Sequence, residues 1–472
     1  MSAVHESSPA ARDLAPRPRP TIAHRLAAMA ALLAPLGMVA VVGFGLYQQG
    51  VWLIITFLLV VVTVTAVWVA LVRHGITRIL WIVIAVAATA TIVVELDDRG
   101  RGFLWLLIMF LLPAVYGIAA RYAVRPHVEA LHRAEADHDV GPARHGVLII
   151  NLWSGGGKAE KFHLVEEARK RGIETVVLQR GDDLLQLAKD AIARGADVIG
   201  MAGGDGSQAL VATVAAEHDI PHVCISAGTR NHFALDLGLD RDDVVGGLDA
   251  YTDGIERRID LSRVNGRVFV NNASLGVYAK VVQSDEYRDA KLETWAKMLP
   301  ELLGPDAPPL DLHFTTPDGE DHSDAPLILV SNNPYQLTRL AGAGTRERID
   351  TGTLGVVAAR VNNAADVASL VTLELAGQAA RFPGLLTWTA RTFEVQSNAQ
   401  VEVGLDGEAL VMESPLRFES LPGALRVRIP AHAPGFSPAA AAVAMTAPNM
   451  ANLARIAIGR APEPDPVLVP AP

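Results

Sequence analysis

The residues best suited to chemistry in this chain are Gly203-Gly204-Asp205-Gly206-Ser207. They follow the apolar segment DVIGMAG and open a stretch of helical spacing from Ser207 to His218. Glycines at such a place let backbone N–H groups approach phosphate oxygens, and the N-terminus of the following helix favours an anion. A carboxylate inside the loop repels phosphate unless a cation intervenes. Asp205 is therefore suited to hold Mg²⁺ or to orient a hydroxyl, the plainer alternative being a tight turn with a helix-capping Asp. The loop is not a Walker A sequence, because the G-x-x-x-x-G-K-S/T spacing is absent. Two more polar loops resemble it in position. Asn151-Leu152-Trp153-Ser154-Gly155-Gly156-Gly157-Lys158 follows GVLIIN, and Gly228-Thr229-Arg230-Asn231 follows HVCIS.

These loops need strands to present them. From about Arg144, short apolar runs (GVLIIN, ETVVLQ, DVIGMAG, HVCIS) alternate with helical spacing over Lys158 to Arg171, Asp183 to Ala193 and Ser207 to His218. That alternation predicts a parallel sheet with crossover helices, in which ligands bind outside the carboxyl ends of the strands. All three loops lie at such ends, where together they can surround a triphosphate. After about Asp260 the texture becomes β-rich, through RVFVNNASLGVYAKV, PLILVSN, TLGVVAARV, RTFEVQS, QVEVGLDGEAL and ALRVRIP, with one helical insertion near Asp366 to Gly377. The expected organisation is an α/β lobe over 144–260, a β-rich sandwich lobe over 261–433, and a cleft between them. An Ala/Pro-rich tail over 434–472, ending in APEPDPVLVPAP, is expected to be disordered. Cys224, the one cysteine, lies in an apolar run and reads as a buried strand residue; it excludes a disulfide framework.

The loops and their order resemble the diacylglycerol kinase catalytic domain family, which includes bacterial lipid kinases, sphingosine kinases and ceramide kinases. The family's N-P-x-(S/A)-G loop matches Asn151 to Gly155, with Leu152 replacing proline. G-G-D-G-(T/S) matches Gly203 to Ser207 in full. G-T-x-N-D-F-A matches Gly228, Thr229, Asn231, Phe233 and Ala234, with His232 where Asp is common. N-x-S-L-G at Asn272 to Gly276, N-N-P-Y at Asn332 to Tyr335, D-x-G-x-L at Asp350 to Leu354 and D-G-E at Asp406 to Glu408 follow in order. The match runs from about Arg144 to Ala433.

The resemblance implies a three-layer α/β nucleotide-binding lobe of NAD kinase and diacylglycerol kinase type. It implies ATP and Mg²⁺ as cofactors and a membrane lipid as acceptor, most simply diacylglycerol giving phosphatidic acid. Nucleotide contacts would come from Asn151, Ser154, Gly155, Lys158, Gly203, Gly204, Asp205, Gly206, Ser207, Gly228, Thr229 and Asn231, with Asp205 also at the metal. Asp406 would be the general base, with Glu408 beside it; an Asp-Gly pair is also the preferred residue pair of a type I′ hairpin. A second magnesium site known in some relatives is not expected, because Thr351 follows Asp350. Other lipid alcohols (sphingoid or polyprenol), an NAD kinase-like acceptor, and a nucleotide-binding membrane sensor stay open as alternatives, as does a homodimer.

Composition adds the membrane. Of 472 residues, 50% are hydrophobic, and the mean hydropathy of +0.26 is too apolar for an ordinary soluble enzyme. The excess lies in four stretches after a polar tail (1–25), within 26–122: Leu26 to Leu46, Val51 to Val72, Ile79 to Val94 and Phe103 to Ala120. Each approaches the ~20 residues that span a hydrocarbon core, so a four-helix transmembrane region is expected. Arg12, Arg17, Arg19 and Arg25 in the tail, Arg73 and Arg78 in the second loop, and Arg121 and Arg125 at the exit mark the cytoplasmic side. The expected location is thus a multi-pass protein of the plasma membrane with a cytoplasmic catalytic part. The spans carry no ionisable residue at mid-depth, which disfavours a transporter. The net charge of −10 disfavours a nucleic-acid partner.

Overall fold

The computed structural model describes residues 18–49, 80–91 apart from 82, 102–135, 138–276, 311–335 apart from 324 and 326, 346–360, 381–435, 437 and 445–463, with single helical positions at 59, 62, 63, 66, 366 and 369. The chain divides into two compact units, one built on His132–Ala440 and the other on Ala15–Leu131 with Ala441–Pro472.

In the second unit, α1 (Ile22–Gln49) covers the first apolar stretch and α2 (Gly102–Glu135) covers the fourth, running on past Arg121 and Arg125. Ile22–Phe44, 23 residues, is the one helix among the described residues long and apolar enough to cross a membrane. The second stretch lies almost wholly outside the described residues, and the third is helical where described. The four-span region is therefore not established as such.

The first unit begins with β1 (His138–Val140) and β2 (Gly146–Ile150). Where one helix was expected over Lys158 to Arg171 there are two, α3 (Lys158–Lys161) and α4 (Leu164–Lys170), broken at His163 with φ 49°. Next come β3 (Glu174–Val177), α5 (Leu184–Ala193), β4 (Val198–Ala202), α6 (Asp205–Glu217), β5 (His222–Ile225) and α7 (His232–Asp236). The Asp183 side chain caps α5 by accepting from the backbone N–H of Leu185 and Gln186. Strands β3, β2, β4 and β5 lie parallel in that order. Strands buried on both faces read as continuous apolar runs. In β2, Val147 and Ile149 enter one core while Leu148 and Ile150 enter the other; Cys224 of β5 is buried among the first.

The β-rich part is less separate than its texture suggested. β6 (Gly254–Val264) spans the boundary expected at 260/261, and β7 (Arg267–Phe269) pairs with it. A six-stranded antiparallel sheet follows, made of β8 (Asn272–Gly276), β11 (Leu327–Asn332), β12 (Leu354–Ala359), β13 (Leu385–Ala390), β15 (Val401–Leu405) and β16 (Glu408–Met412). A small hairpin, β9 (Phe314–Thr315) with β10 (Asp321–His322), precedes β11, and β14 (Thr392–Val395) precedes β15. The long β17 (Leu416–Pro430) then returns to the first sheet. It pairs with β14 and β6 and runs parallel to β5 at Val427 and His222. The helical insertion expected near Asp366 lies outside the described residues except at 366 and 369.

The segment expected to be a disordered tail contains α8 (Ala447–Ala457), which belongs to the same unit as α1 and α2. Thr446 caps it, its hydroxyl accepting from the N–H of Asn449, and a proline sits in its first turn. Composition alone hid this helix.

Candidate active site

Three loops meet at the carboxyl ends of β2, β4 and β5, and glycines are what allow them to meet. Gly155 has φ 57°, and a Cβ there would overlap the carbonyl oxygen of Ala227 and stand 2.8 Å from that of Gly228. A Cβ on Gly228 would stand 2.5 Å from Cα of Gly204 and 3.0 Å from the carbonyl oxygen of Gly203. Neither position has room for a side chain, since contacts this short lie inside ordinary van der Waals separation, and at Gly155 the positive φ adds strain. Ser154 borders the same space, its Oγ 3.7 Å from a Cβ placed on Gly204. Asn151 turns the first loop: its Oδ1 accepts from Trp153 N–H at 3.0 Å, while Leu152 packs against the core. Lys158 begins α3 behind Gly155–Gly157, three successive glycines of positive φ.

Asn231 fixes the third loop. It is buried, with φ 51°; its Oδ1 accepts from Gly228 N–H at 2.8 Å, and its Nδ2 donates to the carbonyls of Ser226 and Gly228. Its side chain is thus committed to loop shape, whereas Thr229 is exposed. Asp205, Gly206 and Ser207 form the first turn of α6, 13 residues long, whose N-cap Gly204 supplies no side chain to its free N–H groups. Those N–H groups and the helix dipole face the loop cluster.

Asp205 does cap a helix, but not its own. Its carboxylate accepts from the N–H of His232 at 3.1 Å and of Phe233 at 3.2 Å, at the start of α7, 27 residues on. Burial raises the Asp205 pKa, against the pull of these two N–H groups and the positive charge of Arg346. His232 is half-buried, and that burial lowers its pKa to about 4. It stays neutral at physiological pH.

Asp406 and Gly407 form the two-residue turn between β15 and β16, with φ 48° and 88°, as a type I′ hairpin requires. The turn does not exhaust the role of Asp406. Its carboxylate accepts from three backbone N–H groups: Val270 at 2.8 Å, Asn271 at 2.8 Å and Asn272 at 3.1 Å. Burial nevertheless pushes its pKa up to about 7, the three N–H groups pulling it down and the charge of Asp205 adding to the rise. The next carboxylate, Glu408, stays about half exposed and lies over the second loop: a Cβ on Gly206 would stand 2.5 Å from its Oε1. Arg267 approaches its other oxygen at 3.7 Å.

The sequence reading missed the group that ties these carboxylates together. Arg346, wholly buried, donates from Nε and Nη2 to the Asp236 carboxylate at 2.9 and 2.5 Å. It also donates to Asn271 Oδ1 at 3.0 Å and to the carbonyls of Val270 and Asn332 at 2.7 and 2.5 Å. Its guanidinium lies over the Tyr335 ring, and Tyr335 OH accepts from Asn272 Nδ2 at 2.9 Å. So α7 is held at its start by Asp205 and at its end by Asp236–Arg346, and Arg346 grips the same backbone stretch that holds Asp406. In sequence, TRERID is an unremarkable charged loop; Asp236 lies 110 residues away. Asp350 is paired with Arg348 at 2.7 Å, and Thr351 donates to Asn333 Oδ1 at 2.6 Å. Among the described residues no cluster of three or more His, Cys, Asp and Glu is arranged to hold a metal.

A parallel sheet whose strand-end loops are glycine-rich and faced by carboxylates from a returning β-lobe belongs to the nucleotide-handling α/β class. The model of the diacylglycerol kinase catalytic domain matches residues 145–264. The chain is similar to a Bacillus subtilis diacylglycerol kinase, 26% identical over 274 residues, covering 55% of this chain and 88% of that one. It is 30% identical over 302 residues to a Pseudomonas aeruginosa protein named "Probable lipid kinase YegS-like", covering 61% and 86%. A crystal structure of a diacylglycerol kinase from Bacillus anthracis aligns over 63% of this chain and 98% of its own, at TM-score 0.47 and 18% identity. The chain belongs to the diacylglycerol kinase catalytic domain family.

Proposed function

We propose that the protein is a lipid kinase that transfers the γ-phosphate of ATP to the hydroxyl of a membrane lipid, diacylglycerol first among them. The observation that carries this reading is the convergence of Asp205, Asp406 and Glu408 on three packed glycine loops at the ends of parallel strands. The relatives named diacylglycerol kinase and lipid kinase support the acceptor class.

Phosphoryl transfer asks a protein mainly for positioning and charge stabilisation. The N–H groups of α6 and the loops at Gly155 and Gly203–Gly206 would receive the phosphates, with Ser154, Ser207, Lys158 and Thr229 at their rim. Asp205 and Glu408 offer carboxylate oxygens beside that turn, the donor type that Mg²⁺ prefers, and on Asp205 the two N–H contacts leave acceptor positions open. Bound there, the ion would neutralise phosphate charge. Asp406 would take the acceptor hydroxyl's proton: a carboxyl with a pKa near 7 is deprotonated often enough and basic enough for that task. The hydroxyl oxygen then bonds to the γ-phosphorus as its bond to the bridging oxygen of ADP breaks.

The arginine pattern supports a multi-pass anchor in the plasma membrane with the catalytic unit on the cytoplasmic side, and α1 supports membrane attachment. One assay tests the central claim. Purified protein is given labelled ATP with Mg²⁺ and, separately, micelles of diacylglycerol, sphingosine or polyprenol, or NAD. Thin-layer separation should show label in phosphatidic acid. Label only in NADP, or none in any acceptor, would overturn the reading.

A further inference from the structure

The helix α8 has three faces. Leu453, Ile456 and Ala457 are buried against Ala28, Ala31 and Ala34 of α1 and Tyr116, Ala120 and Ala123 of α2. Arg25 donates to the carbonyl of Ala457 at 3.2 Å, placing a cation at the carbonyl end of the helix, and Tyr116 OH approaches Met450 Sδ at 4.0 Å. The second face is polar and is closed by the chain's own continuation. Asn452 Oδ1 accepts from Glu463 N–H at 2.8 Å and its Nδ2 donates to Glu463 O at 3.2 Å; Arg455 donates to Ala461 O and pairs with Glu463 at 2.5 Å. The third face, Ala447, Ala451, Ala454 and Ile458, repeats at helical spacing and is apolar and exposed, Ile458 by 62%.

A helix at a water surface turns its polar residues outward. This one ties the side chains of Asn452 and Arg455 to its own tail and turns an apolar stripe outward, the arrangement that a lipid environment favours. Its neighbour does the same. On α1, Ile22, Leu26, Met29, Leu33 and Leu36 form one exposed stripe, and the alanines under α8 lie inside the apolar span Ile22–Phe44.

We infer that α8 is a membrane element: its outer stripe, Ala447, Ala451, Ala454 and Ile458, sits in the lipid of the same bilayer that α1 enters. The inference rests on the membrane attachment proposed above. It means that the catalytic unit is joined to membrane-embedded structure at both ends, since the chain enters it after Leu131 and leaves it at Ala440.

The single, buried Cys224 makes the test clean. In a Cys224→Ser background of the full chain, Ala454→Cys, Ile458→Cys, Val39→Cys on the exposed face of α1 and Glu463→Cys are each labelled with an environment-sensitive fluorophore. The proteins are reconstituted in phosphatidylcholine/phosphatidylglycerol vesicles. At Ala454 and Ile458 a nitroxide lipid labelled near the headgroup should quench emission, and aqueous iodide should not; at Glu463 iodide should quench. Iodide quenching at both α8 positions, with lipid quenching kept at Val39, would overturn the inference and leave the anchor standing. Iodide quenching at Val39 as well would overturn both.

Discussion

Replacing Arg346 by Met is the most informative single change in the catalytic unit. Met keeps the stem of Arg and removes the fork. Asp236, 3% exposed, would lose both side-chain donors, and the Val270 and Asn332 carbonyls and Asn271 Oδ1 would each lose one. Breaking one side of a buried ion pair costs about 3–5 kcal/mol, because the remaining charge is stranded. The orphaned oxygens add to this, though not additively. Local stability of that size is read by amide hydrogen exchange, which does not demand two-state unfolding of a membrane protein. At a factor of ten per about 1.4 kcal/mol, protection should fall roughly 10²- to 10⁴-fold, up to the limit set by global opening. The loss should concentrate in peptides covering 231–239 and 268–276, the two stretches Arg346 joins, and spare α5. Arg346→Lys should fall between, keeping the charge without the fork. Unchanged exchange in both peptides of Arg346→Met would refute the claim that this arginine ties α7 to the backbone that holds Asp406.

Gly155→Ala should cripple nucleotide binding, read as a rise in the KM for ATP, since its Cβ has no space between Ala227 and Gly228. Gly156→Ala, with φ 70° but nothing within 4 Å, should cost only about 1 kcal/mol of backbone strain and little affinity. The pH dependence of kcat/KM should show a limb rising through about pH 7 as Asp406 loses its proton. Its folded pKa is raised, so its contribution to stability is full below the unfolded value near 4 and is lost as pH rises through about 7. Asp406→Asn should abolish that fall in stability, which thermal inactivation at pH 5 and pH 8 would detect.

What the sequence disclosed followed from the range of each signal. The glycine loops were legible because their chemistry is local: a strand, a positive-φ turn and a helix start are contiguous residues. The apolar runs of β2, β4 and β5 fixed a parallel sheet for the same reason. Three features escaped. β17 alternates like any half-buried strand, and nothing in LRVRIP tells that its partner is β5 and that the β-rich region therefore closes back onto the α/β sheet. Arg346 escaped because burial of a charge depends on Asp236, far along the chain. α8 was overlooked through composition, although Thr446 and Pro448 form a helix-start signature that the Ala/Pro average concealed.

The three carboxylates of the site differ in environment, and this separates their expected roles. Asp205 spends both oxygens on the N–H groups that start α7, so Asp205→Asn should harm structure as well as reaction. An amide presents one acceptor where the carboxylate presents two, and its NH₂ would face a backbone donor. Loss of activity and loss of exchange protection at 231–239 should appear together. Glu408, half exposed with one weakly approaching arginine, carries no such duty. Glu408→Gln should leave protection intact and raise the Mg²⁺ concentration needed for half-maximal activity. Asp406→Asn loses the base, and because Asp406 also spends both oxygens on N–H groups, those of Val270, Asn271 and Asn272, exchange protection at 268–276 should fall as well. The variant's activity should fall about 10²- to 10⁴-fold, the usual worth of a positioned general base, at every Mg²⁺ concentration. The decisive comparison is between the last two: if added Mg²⁺ restored Asp406→Asn and left Glu408→Gln unchanged, the metal and proton-transfer roles would have to be exchanged.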